Sequence, residues 1–235
     1  MHHRHILVTG ASGHLGAAVL EYCAAKKWKI VAAAGRSGLD AALQPLVVHH
    51  QSVDLTNEDQ TAEFVASAWE AHGPLRGAVL LAGGFAMAAL ADTTEEDLRK
   101  MYDLNFRTAW NVVKHLLPRF EEAGGGRFIF IGARPALEPA AKGTGAVAYS
   151  LSKSLLVQLA RLIHASSHEK GVTAHVIAPG IIDTEANRHA MPDADFSSWT
   201  PPEAIAATID YLLSDHGAAF SQTVLPLYND AHWKH

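Results

Sequence analysis

Seven short runs of apolar residues recur along the chain, and stretches of helix length separate them. The runs span residues 6–8, 30–34, 46–48, 77–81, 128–131, 172–177 and 223–227. Strands that are apolar along their whole length and alternate with helices are typical of a parallel sheet covered by helices on both faces. The pattern therefore predicts an α/β fold with a doubly wound, seven-stranded, mainly parallel sheet, which binds ligands at the carboxyl ends of its strands.

The composition fits one such domain over residues 1–235. Of the 235 residues, 49% are hydrophobic and 18% are charged, which allows a sizeable core in a single α/β domain. The net charge is −5 and the basic residues are scattered, so we do not expect a nucleic-acid partner. The longest irregular stretch, 183–200, is interpreted as a substrate lid, because loops of this length are usually functional or disordered.

Particular residues argue against other classes of protein. Cys23 is the only cysteine, and His49 and His50 have no ligand partner at helical spacing, so we expect neither a disulfide nor a metal site. No apolar run reaches the ~20 residues of a membrane span, so we expect no membrane contact. Residues 2–5 lead into the first strand without a secretory signal, which predicts a cytoplasmic protein.

Three glycines follow the first strand and open the first helix. Gly10 permits a tight turn, Gly13 lets the backbone approach a pyrophosphate, and Gly16 allows the helix to pack closely on the sheet. The N-terminus of the helix then attracts the phosphate charge. This position predicts a Rossmann-type dinucleotide site, to which Ser12 and Leu15 of the same turn also contribute.

The end of the second strand lacks the carboxylate that NAD-specific folds usually place there. Arg36 instead offers a charge-assisted bond to a 2′-phosphate, and Ser37 adds a hydroxyl donor. We therefore predict NADP(H) as the preferred cofactor and NAD(H) as the alternative. An arginine that only faces solvent at a strand end is the other interpretation of Arg36.

Two further segments at strand ends are candidate cofactor contacts. Asp54 and Leu55 follow the third strand, where a carboxylate can accept from an adenine amino group and an apolar side chain can pack on the ring. A helix cap is the alternative for Asp54. Ala82, Gly83 and Gly84 follow the fourth strand and offer backbone without large side chains where a cofactor passes closely.

Tyr149 and Lys153 are four residues apart, which stacks a phenol and an ammonium on one helix face. A nearby cation stabilises phenolate, so we expect the pKa of Tyr149 to fall by roughly 1–3 units, toward the value of a general acid. The same spacing also occurs in ordinary exposed pairs. Other residues of the chain are needed to distinguish a catalytic pair from an ordinary exposed one.

Six features, in this order, resemble the short-chain dehydrogenase/reductase family across nearly the whole chain. They are the glycine turn, Asp54-Leu55, Ala82-Gly83-Gly84, Asn105, Tyr149 with Lys153, and the segment 179–184 after the sixth strand. The resemblance implies an NAD(P)H-dependent enzyme that transfers hydride to a small-molecule substrate. It also implies a homodimer or homotetramer formed through the helix of Tyr149, whose apolar positions are Leu155, Leu156, Leu159, Leu162 and Ile163.

The resemblance assigns a role to each catalytic candidate. Tyr149 is the general acid, and Lys153 lowers its pKa and binds the nicotinamide ribose. Asn105 anchors a water that relays protons to Lys153, with a polar residue on a helix surface as the alternative. The loop beside the nicotinamide uses Pro179, Gly180, the Ile182 backbone and the Thr184 hydroxyl.

One expected residue is missing. The family usually has a serine about thirteen residues before the tyrosine, and Ala136 stands there in this chain. An alanine donates nothing to a developing alkoxide, and one such donor is worth roughly 3–4 kcal/mol. Ser150 and Ser152 turn away from the face of the tyrosine, so Thr144 or a water is the candidate substitute. Ordinary ketone reduction is therefore not favoured.

Within the family, residues 82–85, 132–137 and 187–201 resemble the reductases of quinonoid dihydropteridines, which also lack the serine. Their acceptor is an electron-poor ring with less alkoxide to stabilise. Phe85 and Trp199 would then bound a flat ring, with core or lid packing as the alternative. An ordinary carbonyl or alcohol reductase is the second hypothesis. A non-catalytic NADPH sensor is the hypothesis from another class.

Overall fold

The computed structural model describes residues 4–138 and 145–229. Its strands are β1 (His5–Thr9), β2 (Lys29–Ala34), β3 (His49–Ser52), β4 (Gly77–Leu80), β5 (Gly126–Ile131), β6 (Val172–Pro179) and β7 (Gln222–Leu227). They form one sheet in the order β3-β2-β1-β4-β5-β6-β7, in which every neighbouring pair is parallel. The predicted doubly wound, Rossmann-type sheet is confirmed.

Helices connect successive strands. They are α1 (His14–Ala25), α2 (Glu58–His72), α3 (Glu95–Tyr102), α4 (Thr108–Glu122), α5 (Arg134–Leu137), α6 (Val147–Ser167), α7 (Glu185–Ala190) and α8 (Pro202–Leu213). A π-helical segment, Asp103–Arg107, joins α3 to α4. Helix α3 begins at a capping box, because the Thr94 hydroxyl accepts from the Asp97 amide and the Asp97 carboxylate accepts from the Thr94 amide.

Both faces of the sheet are covered. On one face, α2, α4 and α6 bury side chains such as Phe64, Leu116 and Ile163. On the other, α1 and α8 bury Leu20 and Ile209. Because both layers exclude water from the strands, ligands reach the sheet only at its edges.

The position predicted for the third strand is wrong. Leu46 is the last residue of a 3₁₀ turn, Gln44–Leu46, and the strand itself begins three residues later at His49. This strand lies at the edge of the sheet, where its polar side chains are largely exposed to water. The side chains of an edge strand are not fully buried, so they do not have to be apolar. For this reason the strand does not show as an apolar run in the sequence.

Candidate active site

A cleft of about 350 Å³ opens at the carboxyl edge of the sheet. Here the chain leaves β1 toward β2 on one side and returns to β4 on the other, which is the switch point where doubly wound sheets bind ligands. Its lining is Gly10, Ser12, Gly13, Ala33, Ala34, Gly35, Arg36, Val53, Asp54, Leu55, Thr56, Leu81, Ala82, Gly83, Leu104 and Thr108. The structure thus brings together predicted cofactor contacts from four separate strand ends.

The glycine turn has the shape that a dinucleotide needs. A Cβ atom at Gly10, where φ is +65°, would lie 2.7 Å from the Ala82 nitrogen, and one at Gly16 would lie 2.4 Å from the Gly10 carbonyl oxygen. A Cβ at Gly13 would meet only the Gly10 carbonyl, at 3.4 Å. The fold therefore requires glycine at two positions, while the space at Gly13 belongs to the cleft. Leu15 packs against the core beneath the turn instead of lining the cleft.

Arg36 and Asp54 face each other at the end of the cleft where the adenosine part of the cofactor is predicted to bind. Arg36 is 94% exposed, and its Nη2 lies 3.8 Å from Asp54 Oδ2. Hydrogen bonds from Thr56, supported by the Arg36 charge, hold the pKa of the Asp54 carboxyl below its usual range. Helix α2 is capped by Asn57, so Asp54 is not the helix cap. Ser37 follows in the turn and is not part of the cleft lining.

Tyr149 and Lys153 lie in the first turns of α6, beside the end of β5. Lys153 is buried, and its Nζ donates to the Ile131 carbonyl at 2.8 Å, while lying 5.9 Å from the centroid of the Tyr149 ring. The Phe85 ring stands edge-on to the Tyr149 ring, with centroids 4.9 Å apart. Phe85 is 63% exposed, so an aromatic surface remains open next to the phenol.

Burial moves both pKa values of this pair. It raises the pKa of the Tyr149 phenol to about 12 and lowers the pKa of the Lys153 ammonium to about 8. The expected fall of the tyrosine pKa is therefore wrong for this structure, because the ammonium is bonded to the Ile131 carbonyl and burial disfavours phenolate. The phenol consequently stays protonated at neutral pH, which is the state a proton donor needs.

Asn105 joins three elements of the site. It is fully buried in the π-helical segment, so a position on a helix surface is wrong. Its amide accepts from the Gly84 nitrogen at 2.9 Å and donates to the Gly84 carbonyl at 3.1 Å and to the Ser152 hydroxyl at 3.0 Å. A Cβ at Gly83 would lie 2.5 Å from Asn105 Oδ1 and 3.3 Å from Lys153 Nζ, so these groups meet around the Gly83 backbone.

The sequence prediction did not include Ser152 as a partner of Asn105. The hydroxyl of Ser152 also donates to the Tyr149 carbonyl at 2.7 Å, and that of Ser150 donates to the Ala146 carbonyl. Both hydroxyls are thus engaged with the backbone of their own helix, which agrees with the prediction that they do not replace the missing serine. Thr144, the other candidate, lies outside the described residues.

Ala133, not Ala136, is the first residue after the backbone bonding of β5 to β6 ends. Ladder bonding continues to Gly132, whose amide donates to the Ile177 carbonyl, and the buried Ala133 comes next. Ala136 lies inside α5, and its carbonyl accepts from the Ser154 hydroxyl. The family spacing places the missing serine at a fixed distance of about thirteen residues before Tyr149. That distance depends on the length of the segment between β5 and α6, so it does not identify the residue at the end of β5. Since both residues are alanine, neither position supplies a hydroxyl.

The predicted lid, residues 183–200, is a loop that contains helix α7 and returns close to its starting point. Its two ends are joined by a parallel bridge between Ile182 and Thr200. Trp199 is 4% exposed and packs against Phe196, with ring centroids 4.7 Å apart, so it contributes lid packing and does not line the cleft. The Asn229 side chain, which the sequence did not single out, donates to the carbonyls of Ser197 and Trp199 and holds the base of the lid.

The loop after β6 is tied to the lid. The Gly180 amide, next to Pro179 at the end of β6, donates to the Leu227 carbonyl. The Thr184 hydroxyl accepts from the Asn187 amide and caps α7, and the Ile182 carbonyl accepts from the Asn187 side chain. In this cap the Thr184 hydroxyl only accepts a hydrogen bond. Its proton is not used by the cap, because a hydroxyl has one donor site in addition to its acceptor sites.

Comparison with known proteins agrees with this geometry. Residues 4–195 match the family model for short chain dehydrogenases. The 3-oxoacyl-[acyl-carrier-protein] reductase MabA of Mycobacterium tuberculosis is 28% identical, over 95% of this chain and 91% of its own length. The dihydropteridine reductase of Dictyostelium discoideum is 26% identical, over 86% of this chain and 84% of its own length.

Solved structures show the same fold. A short-chain type dehydrogenase/reductase from Mycobacterium ulcerans superposes with a TM-score of 0.83 at 26% identity, covering 94% of this chain and 87% of that one. ElxO, solved with NADP bound, gives a TM-score of 0.86 at 18% identity, covering 96% and 97% of the two chains. The family match, the switch-point cleft and the paired Tyr149 and Lys153 lead to one conclusion: the chain belongs to the short chain dehydrogenase family and is an NAD(P)H-dependent oxidoreductase.

Proposed function

We propose that this enzyme uses NADPH to reduce a flat, electron-poor acceptor such as a quinonoid dihydropteridine. The observation that carries the proposal is the pair of alanines, Ala133 and Ala136, at the end of β5 beside Tyr149 and Lys153. Reduction of a ketone develops an alkoxide that a hydroxyl donor stabilises. A quinonoid ring takes up hydride and a proton with less charge on oxygen. Reduction of such a ring therefore does not require the serine that is missing from this site.

Each residue of the site has a proposed role. NADPH, when bound, supplies the hydride. Tyr149 donates the proton, and its raised pKa keeps that proton in place until the acceptor is reduced. Lys153 then stabilises the phenolate and binds the nicotinamide ribose, which requires it to leave the Ile131 carbonyl. Asn105 fixes the Gly84 backbone and anchors a water that relays protons to Lys153.

The proposed NADPH preference depends on Arg36. Its guanidinium is exposed at the edge of the cleft, where a charge-assisted bond to a 2′-phosphate forms without displacing a buried partner. We expect Arg36→Ala to lower the ratio of kcat/KM for NADPH to that for NADH by about tenfold or more. Arg99→Ala, which removes an exposed arginine on α3, serves as the control. An unchanged ratio for Arg36→Ala contradicts the preference.

A second candidate is reduction of an ordinary carbonyl compound, which the match to a 3-oxoacyl reductase over nearly the whole chain favours. The two proposals separate when NADPH oxidation is followed with quinonoid 6-methyldihydropterin and with a panel of aldehydes and ketones that includes ethyl acetoacetate. We expect turnover of the pterin to dominate. Turnover of simple ketones alone rejects the pterin proposal. The sensor hypothesis is not retained, because the family assignment is that of an enzyme.

We further propose a homodimer or homotetramer formed through α6. Leu155 and Leu162 are exposed on this helix, together with Leu151, whereas Leu156, Leu159 and Ile163 are buried in the core. Only part of the predicted apolar stripe is therefore available to a partner. Sedimentation equilibrium of the wild type and of Leu151→Glu tests this surface.

A cytoplasmic location is likewise a proposal, made from the sequence. Among residues 4–138 and 145–229, no helix combines the length and the apolar character of a membrane span. Fractionation of the cells that make the protein, with immunodetection of each fraction, tests the location directly.

A further inference from the structure

Arg134 crosses the carboxyl end of β6. It follows β5, and its guanidinium carbon lies 4.4 Å from the centroid of the Tyr228 ring, which follows β7. Because β6 lies between β5 and β7 in the sheet, this contact spans the end of the intervening strand. A Cβ at Gly180 would lie 3.3 Å from the Tyr228 carbonyl oxygen, so Tyr228 packs directly on the loop that ends β6. The contact between Arg134 and Tyr228 therefore lies next to the Pro179-Gly180 loop.

The same region contains the proposed proton donor. Lys153 donates to the carbonyl of Ile131, three residues before Arg134, and the Ser154 hydroxyl bonds to the carbonyl of Ala136 in α5. Helix α5 is therefore tied to helix α6, which carries Tyr149. Arg134 lies on the acceptor side of the site, between the tyrosine helix and the loop after β6.

The guanidinium is oriented in advance. Its Nε lies 3.4 Å from Glu138 Oε2, and the Tyr228 ring supports one of its faces. The side chain of Arg134 is nevertheless 45% exposed, so a ligand can reach it from solvent. A guanidinium has five N–H donors in a rigid fork and serves several partners at once. The nearby Glu138 carboxylate balances its charge, which favours a neutral carbonyl oxygen over a free anion as its ligand.

We propose that Arg134 binds the acceptor, donating hydrogen bonds to a carbonyl oxygen next to the ring that is reduced. It thereby takes over part of the polar contact that the alanines after β5 do not make. The inference rests on the proposed function, because it places the acceptor over the end of β6. It narrows the substrate class to electron-poor rings with a carbonyl beside the reduced position, such as a pyrimidinone fused to the quinonoid ring.

The test compares Arg134→Ala and Arg134→Lys with the wild type, using quinonoid 6-methyldihydropterin and NADPH. We expect Arg134→Ala to raise the KM for the pterin and to lower kcat/KM by about tenfold or more, with an unchanged dissociation constant for NADPH. Arg134→Lys retains the charge without the fork, so we expect an intermediate loss. Guanidinium ion at low, non-denaturing concentration is expected to restore part of the activity of Arg134→Ala, which a purely structural role does not predict.

Arg107 offers a matched control. It is also 45% exposed, pairs with Asp103 four residues away, and lies over the ring of Tyr102 at 5.7 Å, but on the outer surface of the π-helical segment. Arg107→Ala is expected to leave the kinetics unchanged. If Arg134→Ala behaves like Arg107→Ala, the proposal for Arg134 is overturned.

The outcome for the wild type separates the two proposals. If the wild type does not reduce the pterin but reduces ethyl acetoacetate, the proposed acceptor is wrong, and the same three variants are compared on ethyl acetoacetate. A loss confined to Arg134→Ala and Arg134→Lys then still supports acceptor binding by Arg134. Unchanged KM and kcat on the acceptor that the wild type reduces contradict it.

Discussion

Two helices of this enzyme carry a tyrosine that is followed four residues later by a lysine, inside the helix in α6 and as the C-cap residue in α1. On α1, Lys26 Nζ lies 5.4 Å from the ring centroid of Tyr22, and on α6, Lys153 Nζ lies 5.9 Å from that of Tyr149. The first pair lies at the end of α1, at the amino edge of the sheet, and Lys26 is exposed. The second lies at the start of α6, at the carboxyl edge, and Lys153 is buried.

The spacing of the two residues determines their mutual contact, whereas the position of the helix in the fold determines their burial. Both pairs have the contact that four-residue spacing produces on a helix. Only the pair on α6 is surrounded by the Gly83 backbone, Asn105 and the end of β5. Burial there shifts the pKa of Tyr149 upward and that of Lys153 downward. The reactivity of the Tyr149–Lys153 pair therefore depends on its position at the carboxyl edge of the sheet.

The largest difference between the pairs is expected for the tyrosines. Tyr149→Phe removes the proton donor, so we expect kcat to fall by about 10²- to 10⁴-fold while the dissociation constant for NADPH is unchanged. Tyr22→Phe removes the hydroxyl from the other tyrosine that has a lysine four residues later. Because this tyrosine lies at the opposite edge of the sheet, we expect wild-type kinetics. Steady-state rates and fluorescence titration with NADPH measure both quantities. Comparable activity in the two variants contradicts the role of Tyr149.

The lysines are expected to differ in how they link pH to stability. The pKa of Lys153 is lowered from 10.5 to about 8 in the folded protein, so the unfolded chain binds more protons between these pH values. The stability of the wild type therefore rises by about 3 kcal/mol between pH 8 and pH 10.5, and below pH 8 it no longer depends on this group. Lys153→Met lacks this rise.

Urea denaturation at several pH values measures the effect of each lysine as a difference from the wild type. Lys26→Met is the control, because substitution of an exposed residue is expected to change stability by about 0.5 kcal/mol or less. The raised pKa of Tyr149 contributes stability that is lost only above pH 10, toward 12, so the comparison is made below pH 10. Parallel pH curves for the wild type and Lys153→Met contradict the burial of a charged lysine.

The smallest expected effect concerns the polar neighbour of the α6 pair. Ser152→Ala removes the hydroxyl that accepts from Asn105, and we expect a loss of about 1 kcal/mol in stability and a decrease in kcat of less than tenfold. Ser150→Ala is the matched control, because the Ser150 hydroxyl donates to the carbonyl of Ala146, the N-cap residue of the same helix. Equal effects of the two substitutions on kcat indicate that Asn105 does not need Ser152 for its position.

The glycine turn after β1 was largely predictable because it depends on the backbone. Gly10 and Gly16 are required by contacts that any side chain would break, and such positions leave a readable pattern next to a strand. The positions of six strands along the chain were predictable for a similar reason, since buried parallel strands are continuously apolar. The edge strand β3 was misplaced because that constraint does not apply to it.

The acceptor half was less predictable because it depends on contacts between distant residues. The support of Arg134 by Tyr228 and the hold of Asn229 on the lid join parts of the chain that no local pattern connects. The burial of Trp199 and the direction of the Tyr149 pKa shift likewise depend on packing, which spacing does not encode. Sequence patterns therefore did not determine which side chains pack around the proposed acceptor site.

The central claim is that the missing hydroxyl at the end of β5 decides the class of acceptor. The most direct test measures kcat/KM for ethyl acetoacetate and for quinonoid 6-methyldihydropterin in the wild type, Ala133→Ser and Ala136→Ser. We expect Ala133→Ser to raise ketone reduction by about tenfold or more, with little change for the pterin and no gain in Ala136→Ser. A wild type that already reduces the ketone efficiently, and gains nothing from serine at either position, contradicts the claim.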